Sequence, residues 1–284
     1  MPRVSYVNGL YVPHADAAVH IEDRGFQFAD GVYEVIAVRG GGTIDLEPHL
    51  DRLGRSLGAL RIAWPMTRGA LRRVIHETVR RNRVTTGIVY LQVTRGAAPR
   101  AHAFPRNTAP SLVVTARRMP PPSKAAREEG VSVVTMPDIR WGRCDIKSIA
   151  LLPNILAKQE AAEGGAYEAW LVDAAGTITE GSASNAWIVD SEGGLVTRDL
   201  GRAILGGVTR ASVLGACQAE GIEVRERAFT VDEARQAREA MLTSTTSFVL
   251  PVVRIDGEAV GAGKPGPVYH RLAELYRGHA EQRP

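Results

Sequence analysis

A chain of 284 residues, 44% hydrophobic and 23% charged, is long enough for about two domains with a core each and has the make-up of an ordinary globular protein. Its 35 Lys and Arg nearly balance its 31 Asp and Glu; the densest basic run, residues 72–83, has the spacing of a helix's polar face, which gives nucleic-acid binding little support and leaves anionic small molecules as suitable ligands for a mildly basic protein. The two cysteines, Cys144 and Cys217, make neither a disulfide framework nor a metal quartet, and no stretch reads as a membrane span or a signal-peptide core, so the expectation is a cytoplasmic protein with no metal and no membrane partner.

In chain order, residues 4–12 read as two short strands turning at Asn8-Gly9. Residues 32–38 and 43–46 read as a second hairpin across the glycines at 40–42. Leu50, Leu53, Leu57 and Leu60 have helical spacing within residues 47–60, and Thr67 is a cap for a helix running to about Asn82. Residues 88–94 and 111–116 read as strands. Pro120-Pro121-Pro122 then breaks the pattern, which divides the chain into an N-terminal domain over 1–119, a Pro-rich linker over 120–125 and a C-terminal domain over 126–284. Beyond the linker come a strand at 131–136 and a helix at 151–163 closed by Gly164-Gly165. Residues 168–172 and 186–189 are expected as strands with a polar turn between them. Gly206-Gly207-Val208-Thr209 opens a helix to about Glu220. A strand at 222–229, a short helix at 231–237, a strand at 240–242, a hairpin turn at Asp256-Gly257 and a final helix at 267–277 complete the reading. The mixture implies two α/β-type domains with antiparallel or mixed sheets.

Lysine is scarce: only Lys124, Lys147, Lys158 and Lys264 occur, and every other basic residue is arginine. Arginine stays protonated, whereas a lysine can lose its proton and attack a carbonyl. Lys124 and Lys264 sit in Pro- and Gly-rich stretches, and Lys158 lies among Gln159, Glu160 and Glu163 as on a solvated helix face. Lys147, between a strand and an apolar run, is the candidate amine; composition alone leaves a surface lysine equally open. Gly206-Gly207-Val208-Thr209 enters a helix, where free amides and the helix dipole favour an anion. Thr243 to Ser247 presents hydroxyls at a strand end. Alone, each is more often a capping turn or polar loop than a phosphate site. Together with the lysine and an isolated arginine they suggest the set that pyridoxal phosphate needs, for which Glu180 is the candidate acid at the ring nitrogen; without the other sites it reads better as a solvated turn glutamate.

Several motifs occur in a fixed order: Asp23-Arg24-Gly25-Phe26-Gln27-Phe28 with Val32-Tyr33-Glu34-Val35, then Cys144-Asp145-Ile146-Lys147-Ser148, Ala157-Lys158-Gln159-Glu160-Ala161, Thr179-Glu180-Gly181-Ser182, and Thr243-Ser244-Thr245-Thr246-Ser247. This order resembles the class-IV pyridoxal-phosphate aminotransferases, of fold type IV, over nearly the whole chain. Val93-Thr94-Arg95-Gly96, followed by Pro99-Arg100-Ala101-His102 and Phe104-Pro105, is most similar to the D-amino-acid (D-alanine) aminotransferases in that class.

The resemblance implies a two-domain α/β (α+β type) fold, with a small N-terminal domain, a larger mixed-sheet C-terminal domain and the cofactor between them. It implies that Lys147 holds the cofactor's aldehyde and later moves a proton between the substrate α-carbon and the cofactor C4′, and that Glu180 pairs with the ring nitrogen. Arg52, Gly207, the Val208 and Thr209 amides, the Thr209 hydroxyl, Thr245 and Ser244 would bind the phosphate. Leu205 would pack on the ring, with Ser182 and Ser184 near the lysine. Tyr33, Arg100 and His102 would take the substrate α-carboxylate, the last two from the partner subunit of a homodimer. The implied substrates are D-amino acids and 2-oxo acids. A branched-chain L-aminotransferase, an aminodeoxychorismate lyase and an (R)-amine transaminase share much of the set. The run Ser182-Ala183-Ser184 departs from the three serines that relatives often carry, and Phe26 stands where a tyrosine is frequent.

Overall fold

The computed structural model describes residues 3–281. The chain divides into two compact units, one taking in the chain through Pro121 together with Ile146–Ala150, the other Pro122–Asp145 and the chain from Leu151 onward. The excursion of Ile146–Ala150 into the first unit has a local cause: Ser148 forms a β-bridge with Val32, and the Tyr33 amide donates to the Lys147 carbonyl at 3.0 Å.

The first unit contains β1 (Val4–Val7), β2 (Leu10–Pro13), α1 (Arg24–Phe28), β3 (Gly31–Arg39), β4 (Gly42–Thr43), α2 (Leu46–Leu60), α3 (Arg68–Arg81), β5 (Thr86–Thr94) and β6 (Ser111–Arg118). Six strands form one sheet in the order β2-β1-β6-β5-β3-β4, every pair antiparallel. Asn8 and Gly9 have φ of 45° and 102°, the two positive values that a tight hairpin turn with the strands' own twist requires. The expected strand at 43–46 ends early: Asp45 is left-handed at φ 56° and Leu46 already begins α2. Leu46, Leu50, Leu53 and Leu57 of α2 pack with Leu71, Val74 and Ile75 of α3 and with Val32 and Ile36 of β3 in one core. The Thr67 hydroxyl caps α3 as expected, accepting from the Ala70 amide at 3.3 Å. The helix α1 was not expected; Asp23 caps it by accepting from the Gly25 amide at 2.8 Å.

The second unit holds α4 (Lys124–Glu128), β7 (Val131–Pro137), α5 (Leu152–Glu163), β8 (Glu168–Val172), β9 (Ile178–Gly181), β10 (Asn185–Val189), β11 (Leu195–Thr197), α6 (Val208–Ala219), β12 (Val224–Glu226), α7 (Val231–Arg235), β13 (Glu239–Ser244), β14 (Phe248–Ile255), β15 (Glu258–Ala259) and α8 (Pro267–Glu281). Its sheet runs β12-β11-β10-β13-β14-β7-β8-β9, with β15 on β14. The sheet is mixed: β7 pairs parallel with both β14 and β8, while β10, β13 and β14 pair antiparallel. Two strand expectations are corrected here. The polar stretch after Val172 contains β9, and the strand expected over 222–229 is only three residues long because its partner β11 is equally short. Glu239 of β13 fixes where α8 starts by accepting from the Val268 and Tyr269 amides at 3.0 and 2.8 Å.

Candidate active site

In the first unit the site starts from strand alternation. Successive side chains of β3 point to opposite faces, and Glu34 is fully buried while Tyr33 is half-buried. Glu34 meets the polar stripe of α2. Its Oε1 and Oε2 accept from Arg52 Nε and Nη2 at 2.8 and 2.7 Å, and His49 Nδ1 donates to Oε2 at 2.7 Å. Burial opposes the Glu34 charge, yet the charge of Arg52 and its hydrogen bonds, with that of His49, hold the carboxyl at about 2. Burial pushes the His49 pKa down, and the nearby cations Arg52 and Lys147 add to this against the pull of Glu34. One turn further along the same helix face, the Ser56 hydroxyl accepts from the Lys147 amide at 3.2 Å. The stripe 49/52/56 thus ties Arg52 and the Lys147 backbone to one helix face, at the i, i+3 and i, i+4 spacings of about 5–6 Å.

The Lys147 Nζ lies 4.1 Å from the Tyr33 ring centroid. Among the described residues it has no carboxylate within ion-pair distance. The Tyr33 ring lies 5.8 Å from that of Tyr90, whose pKa burial raises to about 12. Arg100 and His102 sit exposed in the long connection between β5 and β6, with the Arg100 guanidinium 4.6 Å and the His102 ring 5.7 Å from the Phe28 ring centre.

In the second unit Glu180 lies in β9 and is 5% exposed. It accepts from Arg140 Nη1 in an ion pair, from Asn185 Nδ2 at 3.1 Å and from the Leu205 amide at 3.1 Å. Arg140 is held in turn by Asp138, at 2.7 Å, and by the Thr179 hydroxyl and the Ala203 carbonyl. Burial opposes the Arg140 charge, but Asp138 and Glu180 outweigh it and raise its pKa. Just beyond Leu205, α6 opens at Val208 without a side-chain cap, which leaves its first amides to water or a ligand. A Cβ on Gly207 would lie 2.1 Å from Asn185 Oδ1, so the glycine lets this turn approach the Glu180 cluster. Thr209 is buried. The α6 helix packs against β13, whose end carries Ser244; the Ser244 hydroxyl accepts from the Ser247 amide at 2.9 Å in the turn that includes Thr245. Ser182 and Ser184 are both engaged by buried Glu168, Ser184 at 3.3 Å.

The donor chemistry fits pyridoxal phosphate as far as each unit goes. The first supplies an amine without an acid partner, and the second sets a carboxylate paired with Arg140 beside an uncapped helix start. Sequence reasoning missed Arg140, Asn185, Glu34 and Glu168. Arg140 had one faint signal, the Asp138-x-Arg140 alternation that puts both side chains on one side of an extended chain.

A model of the family described as Amino-transferase class IV matches residues 31–255. The chain is 41% identical to the D-alanine aminotransferase of Bacillus licheniformis, over 92% of this chain and 91% of that one. Its identity to the D-alanine aminotransferase of Staphylococcus haemolyticus is 37%, over 98% of each. Among solved structures, a T.th. branched-chain amino acid aminotransferase with pyridoxamine 5′-phosphate matches with a TM-score of 0.90 at 28% identity, covering 100% of this chain and 96% of that one.

Proposed function

The chain belongs to the class-IV aminotransferases, and from that premise we propose that it transfers the amino group of a D-amino acid, such as D-alanine, to a 2-oxo acid, pyruvate or 2-oxoglutarate, in two ping-pong half-reactions with pyridoxal phosphate. When bound, the cofactor supplies an aldehyde that carries the amine and a ring that takes up charge from the α-carbon. Lys147 Nζ, set against the Tyr33 ring, would hold the aldehyde and move a proton between the α-carbon and C4′. Glu180, paired with Arg140, would hold a proton on the ring nitrogen. Arg52, Gly207, Val208, Thr209, Ser244 and Thr245 would hold the phosphate, Leu205 would pack on the ring, and Ser182 and Ser184 would add hydroxyls toward the cofactor. Tyr33 takes the substrate carboxylate with Arg100 and His102 of the partner subunit.

Pairing into a homodimer is supported by an apolar surface on the second unit. Leu152, Ile155 and Leu156 share one face of α5 and are 73%, 57% and 61% exposed, and Ile139, which lines a groove with Leu156, is 67% exposed. Among the described residues no helix is long and apolar enough to cross a membrane; a cytoplasmic location is part of the proposal.

The observation that carries the reading is 41% identity to a D-alanine aminotransferase over 92% of the chain. The likeness to branched-chain aminotransferases favours a second reading, transfer from L-leucine. The visible spectrum of the holoenzyme, followed after D-alanine, L-alanine, L-leucine and an (R)-amine in turn, separates the two. Bleaching of the cofactor band by D-alanine with release of pyruvate supports the proposal; bleaching by L-leucine alone overturns it.

A further inference from the structure

The connection that carries Arg100 and His102 is anchored from beneath by two buried arginines that share one carboxylate. It leaves β5 at Gly96, where φ is +97° and a Cβ would lie 2.0 Å from the Ala109 carbonyl oxygen, so the two ends of the connection are pinched together. Between them the side chains from Arg100 to Ala103 are exposed. The backbone under them is not free. Arg24, 4% exposed, donates from Nη1 to the Ala101 carbonyl at 2.6 Å and from Nη2 to the His102 carbonyl at 3.3 Å. Arg95, 7% exposed, lies over the Phe104 ring at 3.6 Å and donates to the Leu60 and Arg61 carbonyls at 2.8 and 3.0 Å.

Both guanidinium groups end on Asp30. Its Oδ2 accepts from Arg24 Nε and from Arg95 Nε, each at 2.7 Å, and its Oδ1 accepts from Arg95 Nη2 at 3.0 Å. Burial opposes ionisation of Asp30, and the bonds and charges of Arg95 and Arg24 outweigh it. A rigid guanidinium fork bonded at Nε has its two remaining nitrogens aimed in one fixed direction. For Arg24 that direction is the pair of carbonyls, of Ala101 and His102, on either side of the His102 α-carbon.

We propose that Asp30 is a positioning residue for recognition of the substrate carboxylate: by orienting Arg24 and Arg95 it fixes the backbone from which Arg100 and His102 project. This inference rests on the carboxylate-binding reading of Arg100 and His102 given above. Without the Asp30 charge the Arg24 fork can swing, the two carbonyls lose their fixed donors, and the Arg100 and His102 side chains spread over many positions. Misplacement of a binding group by about 1 Å costs roughly a hundredfold in the reaction it serves.

The test uses propionate, a carboxylate without an amino group, titrated calorimetrically into the holoenzyme of wild type, Asp30→Asn, Arg24→Lys and Arg100→Ala. Arg24→Lys keeps a charge for Asp30 but lacks the fork, so it does not depend on Asp30→Asn folding well. In Asp30→Asn and Arg24→Lys the propionate dissociation constant is expected to rise by roughly tenfold to a hundredfold, with a matching rise in KM for D-alanine. The kcat and the dissociation constant for pyridoxal phosphate should keep their wild-type values. Unchanged propionate affinity in both variants, with Arg100→Ala weakened, overturns the positioning role alone. Loss of propionate and cofactor affinity in step, in both variants, reduces Asp30 to a general structural role and also overturns it. Unchanged propionate affinity in Arg100→Ala sinks the carboxylate reading itself.

Discussion

The Lys147 Nζ stands 4.1 Å from the centre of the Tyr33 ring, while the Tyr33 amide donates to the Lys147 carbonyl at 3.0 Å. One strand residue thus holds both ends of the lysine, fixing its backbone and offering its side chain an aromatic face instead of a carboxylate. Lys147→Ala should abolish borohydride-dependent covalent labelling by pyridoxal phosphate and remove nearly all turnover. Mass spectrometry of the reduced protein checks the first and a coupled pyruvate assay the second. Wild-type turnover in the variant would exclude the role.

Glu180 is bonded to Arg140, Asn185 and the Leu205 amide at once. Glu180→Gln keeps the shape and removes the charge that would hold a proton on the ring nitrogen. Turnover should fall by about two decades or more, with a smaller change in cofactor affinity. A variant that loses affinity and keeps turnover per bound cofactor would show Glu180 to be only a ligand.

Arg52 presents two donors to Glu34, so its removal acts twice. Arg52→Ala should raise the pyridoxal-phosphate dissociation constant, and it should also strand a fully buried carboxylate, at a cost of about 3–5 kcal/mol. Cofactor titration and thermal unfolding of the apo-protein read the two effects separately. A weaker fold with unaltered cofactor affinity would leave Arg52 as a partner of Glu34 and nothing more.

The same pair sets an acid limit. The Glu34 pKa is lowered from 4.5 to about 2 by Arg52 and His49 against its burial. A depressed carboxylate contributes stability above its unfolded pKa and loses it as pH falls through the folded one. The window is therefore from about 4.5 down to about 2, and the contribution is on the order of 3 kcal/mol. Acid unfolding followed by circular dichroism should show wild type losing more stability over that window than Glu34→Gln. Parallel curves would remove the Glu34 pair as the cause.

Arg100→Ala should cut kcat/KM for D-alanine by roughly two to three decades, the cost of removing one partner of a charge pair that bound substrate and the second subunit would together cover. Reaction with an (R)-amine, which has no carboxylate, should change little. Steady-state assays of both substrates on both proteins decide it; equal losses would reopen the amine-transaminase and lyase readings.

The turns and the amphipathic helices were legible because they depend on neighbours in sequence. Asn8-Gly9 and Asp256-Gly257 carry the positive φ values their hairpins need, and the leucines of α2 face one core. The strand β9 was hidden because Ile178–Gly181 is four residues long and includes Glu and Gly, which strands disfavour. It exists because β8 offers it an edge. At the site, Lys147 stood out by being one of four lysines. Arg140 did not, because arginine is common here and its meaning comes from Glu180, forty residues away. Glu34 and Asp30 were hidden for the same reason: a buried acid is recognised by the arginines that fold over it, and sequence spacing does not show which ones those are.

The position of β7 between two parallel neighbours has a consequence for the making of the protein. Its partner β8 follows soon after it, but its other partner, β14, begins only at Phe248. On a ribosome adding roughly 5–20 residues per second, β7 waits on the order of ten seconds with one edge open. During that interval its unpaired amides and carbonyls are available to any extended chain nearby. Nascent chains arrested before Phe248 should therefore be cut readily by protease within the second unit and aggregate when released, whereas chains arrested well past Ile255 should resist. Equal resistance at both lengths would mean that β7 and β8 are stable without β14. Synthesis of this chain is thus most exposed to crowding late, when most of the second unit has been made and the strand that closes it has not.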